Sequence, residues 1–268
     1  MPRANRYFMP GCIWHITHRC HKQDFLLKFA QTRQRYIHWL YQARKRFRAE
    51  ILNYTITSNH IHLVVRNVGG NNDIPSMIQL VAGRTAQEYN IRKHRKGAFW
   101  EDRYHATAIE TGEHLQQCIL YLDLNMVRAG AVKHPREWAH GGYQEIQGNR
   151  RRNTIIDMKA LVTALGLKNV DALRTVHREW IEGFLRGDAS VREEKWSQSI
   201  AVSSEEFAQR TRTELGARGH KRDISEKDDV YVLREIEESY GTVFGVKNEL
   251  IASENSLLWD VIPVKTIS

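Results

Sequence analysis

The stretch Ser58-Asn59-His60-Ile61-His62-Leu63-Val64-Val65 decides the fold class of this chain. Its apolar residues are typical of a buried β-strand, and Ser58-Asn59 before them is typical of a tight turn. Because side chains alternate across a strand, His60 and His62 share one face while Ile61 points toward a core. Two imidazoles this close can bind one divalent cation. The same pattern also suits two polar residues on the solvent face of a half-buried strand, so other parts of the chain must decide.

Segments on both sides of this strand predict an α+β fold. Runs of β-forming residues predict further strands over 12–19, 50–57 and 105–109. Apolar residues at helical spacing predict helices over 28–49, 74–93 and 112–127. The resulting order β-α-β-β-α-β-α is that of a ferredoxin-like split βαβ antiparallel sheet with helices on one or both faces.

The chain changes character after residue 153, where an arginine run ends its basic part. Helical patterns follow over 155–186, 203–215 and 225–240, with a basic linker over 216–222. A length of 268 residues allows one large or two small domains. We therefore expect a domain over 1–153 and a mainly helical C-terminal region over 154–268, for which no motif indicates a role.

Positive charge is concentrated in the first part of the chain. Residues 1–153 hold 24 Lys and Arg against 11 Asp and Glu, whereas residues 154–268 hold 16 against 20. Such an asymmetry favours a nucleic acid as partner of the first part. Aromatic residues between the cations suit stacking on unpaired bases, although buried core aromatics would give the same pattern. The candidate DNA-contact residues are Arg44, Arg46, Lys93, Arg95, Lys96, Trp100, Arg103, Tyr104 and Arg128.

Other broad classes of protein fit the sequence less well. No window approaches the roughly 18 consecutive apolar residues of a membrane helix, and the N-terminus lacks the apolar core of a signal peptide. The three cysteines show no paired zinc spacing, so we expect a reduced, cytoplasmic protein without a membrane partner. A metal cluster of His15, His18 and His21 with Cys12 and Cys20 fits no familiar zinc pattern.

A second group of polar residues lies on the helix predicted over 112–127. Tyr121 and Asn125 are four residues apart, and Gln117 precedes Tyr121 by four, so all three line one helical face. Asp123 lies nearly opposite Tyr121 on this helix. The helix therefore presents a hydroxyl and two amides together.

These two patterns together resemble the HUH single-tyrosine transposases, and among them the REP-associated tyrosine transposases. That family has a His-hydrophobe-His pair followed by a helix of the form Tyr-x-x-x-Asn-x-Val-Arg-Ala, and this chain has His60-Ile61-His62 followed by Tyr121-Leu-Asp-Leu-Asn125-Met-Val-Arg128-Ala129. The strand with Trp14-His15-Ile16-Thr17 and the segment 97–104 are also similar. The resemblance covers roughly residues 5–145. The family usually has proline after the asparagine, where this chain has Met126.

The resemblance implies a role for each matching residue. His60 and His62 are expected to be metal ligands, Tyr121 the nucleophile and Asn125 the third ligand, with Gln117 as a reserve candidate. Two imidazoles and an amide oxygen suit Mg2+ or Mn2+ and leave positions for phosphate oxygens. The resemblance also implies the HUH endonuclease fold, a bacterial, nucleoid-associated protein and no small-molecule cofactor. It leaves monomer and homodimer open.

The implied activity is metal-dependent cleavage and rejoining of single-stranded DNA near hairpins formed by palindromic repeats. The tyrosine would attack phosphorus, form a 5′-phosphotyrosine intermediate and release a 3′-OH. A first alternative is a catalytically silent, domesticated DNA-binding or regulatory protein on the same fold. A second is a structural zinc protein, which would retain its metal tightly and unfold on chelation.

Overall fold

The computed structural model describes residues 8–70, 72–148, 152–187, 201–214, 222–227 and 230–235. The strands in this part are β1 (Ile13–Arg19), β2 (Ala49–Ile56), β3 (His60–Asn67), β4 (His105–Ile109), β5 (Ala201–Ser203), β6 (Arg222–Lys227) and β7 (Val230–Glu235). The α-helices are α1 (Ala30–Arg46), α2 (Asp73–Arg92), α3 (Glu113–Asp123), α4 (Asn125–Arg128), α5 (Tyr143–Ile146), α6 (Met158–Ala164), α7 (Val170–Arg186) and α8 (Glu205–Glu214). Short 3-10 turns cover His21–Gln23 and Pro135–Glu137.

The first four strands form the sheet that the sequence predicts. They lie in the order β2-β3-β1-β4, and each neighbouring pair is antiparallel. Helix α1 connects β1 to β2, and α2 connects β3 to β4. This is the ferredoxin-like split βαβ arrangement, so the α+β prediction is confirmed. The predicted bounds of β4 are also correct, and those of the neighbouring elements differ by a few residues at most.

The strand register decides which side chains meet. Arg19 of β1 pairs with His60 of β3, and Thr17 pairs with His62. Because paired residues point to the same side of a sheet, these four side chains share one face. Ile61, between the two histidines, points to the opposite face and is fully buried.

Helices cover the two faces differently. Thr55 of β2, which pairs with His62, donates a 3.0 Å hydrogen bond to the Leu122 carbonyl, so α3 covers the histidine face. On the other face, the His18 ring stacks on Trp100 with centroids 4.2 Å apart. The Trp100 indole then donates to the Ala82 carbonyl of α2 at 3.0 Å. The sheet is thus a central layer between α3 and the α1–α2 pair.

The helix predicted over 112–127 is divided at Leu124. Helix α3 ends at Asp123, and α4 begins at Asn125, with Leu124 at φ −81° and ψ −3° between them. The Leu124 amide still donates to the Leu120 carbonyl at 2.9 Å, so the chain direction changes little. Asn125 therefore stays about one turn beyond Tyr121, as the sequence predicts.

The C-terminal region contains the predicted helices α6, α7 and α8, but it also extends the sheet. Strand β5 pairs in parallel with β4, and β7 and β6 follow in antiparallel order. The prediction of a helix over 225–240 is therefore wrong for 225–227 and 230–235; its remainder, like 216–221 of the expected linker, lies outside the described residues. The β-branched and aromatic residues of β7 pair across the sheet, and this tertiary pairing overrides a helical pattern.

The hydrophobic core continues beyond residue 153. Ile155, Leu161 and Leu173 belong to the same buried cluster as Ile61. The Glu145 carboxylate accepts hydrogen bonds from the backbone amides of Ile155 and Ile156. The division into parts at residue 153 stays a prediction, and the described residues on both sides of it share one core.

Candidate functional site

The candidate centre lies on the face of the sheet that α3 covers. The rings of His60 and His62 have centroids 4.8 Å apart, and the ring of Tyr121 lies edge-on to His62 at 5.5 Å. The Asn125 amide nitrogen is 3.2 Å from Nε2 of His62. The fold thus brings together the four residues that the sequence assigns to metal binding and nucleophilic attack, although more than fifty positions separate the two groups.

The hydrogen bonds around His60 fix its tautomer. The Thr57 hydroxyl donates to the His60 carbonyl at 2.8 Å, so toward Nδ1 of the ring, 3.0 Å away, this hydroxyl oxygen acts as acceptor. The Asn59 side-chain oxygen also lies 2.7 Å from Nδ1. Nδ1 therefore carries the proton, and the lone pair that can bind a cation is on Nε2.

His62 has a similar arrangement with a different partner. Its Nδ1 lies 2.9 Å from Nε2 of His15, a fully buried residue of β1 whose ring stacks on His62 with centroids 5.1 Å apart. Because the Asn125 amide N–H faces Nε2 of His62, we assign the lone pair to Nε2 and the ring proton to Nδ1, directed at His15. In both histidines of the pair, Nε2 is thus the atom that can bind a cation. Sequence analysis considered His15 only as part of a different metal cluster.

Burial keeps His62 neutral. Desolvation, followed by the nearby charges of His60, His15, Arg128 and Arg19, holds the pKa of His62 well below its usual value. A neutral imidazole is the form that binds metals. The electrostatic environment therefore favours the ligand form of this residue.

The donor set fits a divalent cation of the Mg2+ or Mn2+ class. The Thr17 hydroxyl, across the register from His62, is buried and has no hydrogen-bond partner among the described residues. A polar group there is expected to meet a water molecule or an ion. No cluster of three His, Cys, Asp or Glu side chains suited to a metal occurs in the described part of the chain, which leaves two imidazoles and the Asn125 amide as candidate ligands. Gln117 instead donates to Glu113 at 3.4 Å.

Arg128 organises the surroundings of Tyr121. Its guanidinium lies 4.6 Å from the centroid of the Tyr121 ring and donates a hydrogen bond to the Tyr121 carbonyl. The Tyr121 side chain is largely buried, and Arg128 is half-exposed. Arg128, which the sequence analysis assigned to DNA contact, is thus beside the candidate nucleophile.

A buried polar network behind the centre was missed by sequence analysis. His177 of α7 lies 2.8 Å from the Asp123 carboxylate, and both side chains are fully buried. Asn53 of β2 donates to the same carboxylate at 3.2 Å, and Gln147 lies 2.9 Å from the other ring nitrogen of His177. Asp123 is therefore no candidate ligand; it connects the tyrosine helix to α7. No sequence pattern links these residues, because they are 54 positions apart.

The remaining DNA-contact candidates are dispersed. Arg44 donates to the Thr154 carbonyl at 2.6 Å, and Arg46 is exposed at the same end of α1, the end away from His60. Lys93 follows α2 and is exposed near the start of α1, with its ammonium 4.6 Å from the ring centroid of Phe29. Arg95 donates to backbone carbonyls of the loop that follows α2.

The aromatic candidates pack against the core. One face of Trp100 is covered by His18, on the side of the sheet away from His60. Tyr104 is half-buried, 6.3 Å from the ring of Phe8. Lys96 and Arg103 are exposed. Both interpretations of this segment, core packing and base stacking, were considered from the sequence, and the geometry of Trp100 is that of core packing.

Comparison with known proteins finds a family model similar to the first part of the chain. Residues 9–123 match the family model described as "Transposase IS200 like". This segment includes the histidine pair and Tyr121 and ends just before Asn125. Over these residues the chain is similar to the IS200-like transposases.

Two solved structures are similar to this chain. One is a REP-associated tyrosine transposase bound to a REP hairpin, 19% identical, with a TM-score of 0.47; the match covers 60% of this chain and 96% of that chain. The other is a Deinococcus radiodurans R1 protein assigned as a transposase, 12% identical, with a TM-score of 0.31, covering 44% of this chain and 89% of that chain. No curated protein sequence matches the chain.

No helix in the described ranges has the length and apolar character needed to cross a membrane.

Proposed function

We propose that this protein is a metal-dependent single-strand DNA endonuclease and transposase that cleaves and rejoins DNA near hairpins. The observation that carries the proposal is the convergence of Tyr121 and Asn125 on His62, at 5.5 Å between ring centroids and 3.2 Å between nitrogens. A hydroxyl nucleophile beside neutral nitrogen ligands for a divalent cation is a combination that suits phosphodiester transfer. Hairpin DNA is proposed as substrate on the motif resemblance, and the bacterial nucleoid as place of action.

The chain's own residues have distinct parts in this reaction. The Nε2 atoms of His60 and His62, with the Asn125 amide oxygen, would hold Mg2+ or Mn2+, which neutralises charge on the scissile phosphate. The Tyr121 hydroxyl oxygen forms a bond to phosphorus, the bond from phosphorus to the 3′ oxygen breaks, and the phenolic proton is transferred so that a 3′-OH leaves. The resulting 5′-phosphotyrosine retains the ester linkage, so a second 3′-OH can reverse the attack without ATP.

A covalent-adduct assay tests the proposal. Labelled single-stranded DNA with a hairpin is incubated with the full chain and Mn2+ or Mg2+, then separated on a denaturing gel. We expect an upward-shifted protein–DNA band from the wild type and from Tyr41→Phe, a control on α1, and none from Tyr121→Phe. An adduct that persists in Tyr121→Phe would show that the nucleophile is another residue.

Two measurements separate the alternatives, the adduct assay and a folding assay with chelator. A catalytically silent DNA-binding protein would bind the hairpin and give no adduct with any metal. A structural zinc protein would unfold when a chelator is added, whereas the proposed enzyme stays folded without metal, because its core is formed by apolar residues on both sides of the sheet. Circular dichroism with and without chelator measures this difference.

A further inference from the structure

A small polar cleft adjoins the candidate metal centre. It has a volume of about 150 Å3 and is lined by Arg19, Gln23, Asn59 and His60. Its lining combines a guanidinium, two amides and an imidazole, and no carboxylate. Such a set of donors suits an anion.

The strand register aims Arg19 at this cleft. Arg19 is the last residue of β1 and pairs with His60, so its side chain lies on the same face as the histidines. It is half-exposed, and no carboxylate pairs with its guanidinium among the residues that the structure describes.

A strained loop forms the other wall. Lys22 and Gln23 have φ values of 51° and 58°, in the left-handed region that residues other than glycine rarely adopt. Two hydrogen bonds hold this loop on the 58–59 turn: the Asn59 amide donates to the Gln23 carbonyl at 3.3 Å, and the Leu27 backbone amide donates to the Ser58 carbonyl at 2.9 Å. Backbone strain that is retained beside a candidate reaction centre favours a functional role for the loop.

Exposed aromatic and basic residues continue from this end of the sheet. Phe25 and Phe29 are 61% and 42% exposed, in the loop that leads to α1. The ammonium groups of Lys28 and Lys93 lie 5.2 Å and 4.6 Å from the centroid of the Phe29 ring. A DNA strand leaving the cleft in this direction would meet cations and aromatic faces.

We propose that Arg19, with the side-chain amides of Gln23 and Asn59, binds a phosphate of the DNA strand next to the scissile phosphate. This inference rests on the proposed function, since it names how that centre holds its substrate. The guanidinium supplies parallel N–H donors that match phosphate oxygens, and the amides supply neutral donors. Holding the neighbouring phosphate places the scissile one between His60 and Tyr121. Arg19 is thus a positioning residue that contacts substrate.

Single uncharged linkages in the DNA provide a direct test. Hairpin oligonucleotides carry one methylphosphonate in place of one phosphate, at successive linkages on both sides of the cleavage point. Their affinities for the wild type, Arg19→Gln and Arg84→Gln are measured by fluorescence anisotropy. Arg84 is an exposed control on α2, in the helical layer that covers the opposite face.

We expect one linkage at which the methylphosphonate weakens wild-type binding by about tenfold or more, as for a lost charged hydrogen bond. Arg19→Gln should bind the unmodified DNA correspondingly more weakly and should be insensitive to that one substitution, while Arg84→Gln behaves like the wild type. The proposal would be overturned if Arg19→Gln stayed as sensitive as the wild type at every linkage. This includes the case in which the variant binds all the oligonucleotides more weakly by the same factor, because only one positive charge has been lost. Unchanged thermal melting and an unchanged circular dichroism spectrum of Arg19→Gln show that the variant is folded.

Adduct formation with the same oligonucleotides separates this inference from the proposed function. If binding shows the position-specific effect but no adduct forms in any variant, the phosphate site stands and the endonuclease proposal fails. If the wild type forms the adduct and Arg19→Gln shows an unaltered profile, the endonuclease proposal stands and the phosphate site is wrong.

Discussion

Nδ1 of His62 lies 2.9 Å from Nε2 of His15, and the two rings are nearly parallel, 18° apart. This contact orients a candidate ligand through its second nitrogen, as carboxylates and carbonyls commonly do for metal-binding histidines. His15 comes from β1 and His62 from β3, so the contact depends on the register of two neighbouring strands. Through this contact, His15 fixes the direction in which the His62 ring presents its Nε2 atom.

Replacing His15 by phenylalanine should weaken Mn2+ binding by about 10-fold to 100-fold, because the ring of His62 loses the partner that fixes its orientation. Titration of the apo protein with Mn2+, followed by electron paramagnetic resonance, measures the affinity. His38→Phe, an exposed residue of α1, is the matched control. Equal affinity of His15→Phe and wild type would contradict the assignment of His15.

Replacing Arg128 by methionine should slow adduct formation roughly tenfold or more, as for the loss of one charged contact worth about 1.5–3 kcal/mol. The stem of methionine retains packing, but the guanidinium over the Tyr121 ring and its bond to the Tyr121 carbonyl are lost. Single-turnover rates give the effect, and Mn2+ affinity should not fall, since Arg128 is not a candidate ligand and its positive charge opposes a cation at His62. A normal rate would show that Arg128 has no part in placing Tyr121.

Replacing His177 by leucine should destabilise the protein by about 3–5 kcal/mol, since it leaves the Asp123 carboxylate buried without its partner. Urea unfolding measures the free energy. In Asp123→Asn the additional cost of His177→Leu should be much smaller, because the charge is already absent. Additive costs in this double-mutant cycle would mean that the two residues do not interact.

Acid should destabilise the fold between about pH 6.5 and pH 4. Burial lowers the pKa of His18 to about 4, although its hydrogen bond to the Asp102 carbonyl opposes the shift. In the unfolded chain a histidine takes up a proton near pH 6.5, so the unfolded state binds more protons in this range and gains stability as the pH falls.

The contribution of His18 is expected to be about 2 kcal/mol between pH 7 and pH 5. Urea unfolding of wild type and His18→Phe at the two pH values tests this, since phenylalanine retains a ring against Trp100 and cannot titrate. The variant should lose less stability on acidification. Identical losses would indicate that His18 is not held neutral in the fold.

Truncation after residue 153 should prevent folding. It removes α7 with His177, the backbone amides that satisfy Glu145, and strand β5 that pairs with β4. Buried apolar surface and a buried carboxylate would then be exposed. A chain ending at Glu235 retains all of these contacts and should melt cooperatively. Cooperative melting of the shorter chain would instead support a domain boundary at 153.

The amino-acid sequence by itself determined the order of the first seven elements and the candidate chemistry. Strand alternation put His60 and His62 on one face, and helical spacing put Asn125 one turn from Tyr121, because both are local geometries with fixed periods. The structure confirms these elements and brings the four residues together. Their roles in metal binding and attack stay predictions, with the experiments above as tests.

Only the tertiary structure decided which distant residues meet. His15 beside His62, Asp123 beside His177 and the cleft below Arg19 each join segments that no local period relates. The sequence pattern likewise did not predict the strands β5, β6 and β7, because their residues become strands by pairing with an existing sheet edge. Register and packing are properties of the whole chain, and they alone decide that a histidine from the first strand faces the histidine pair on the third.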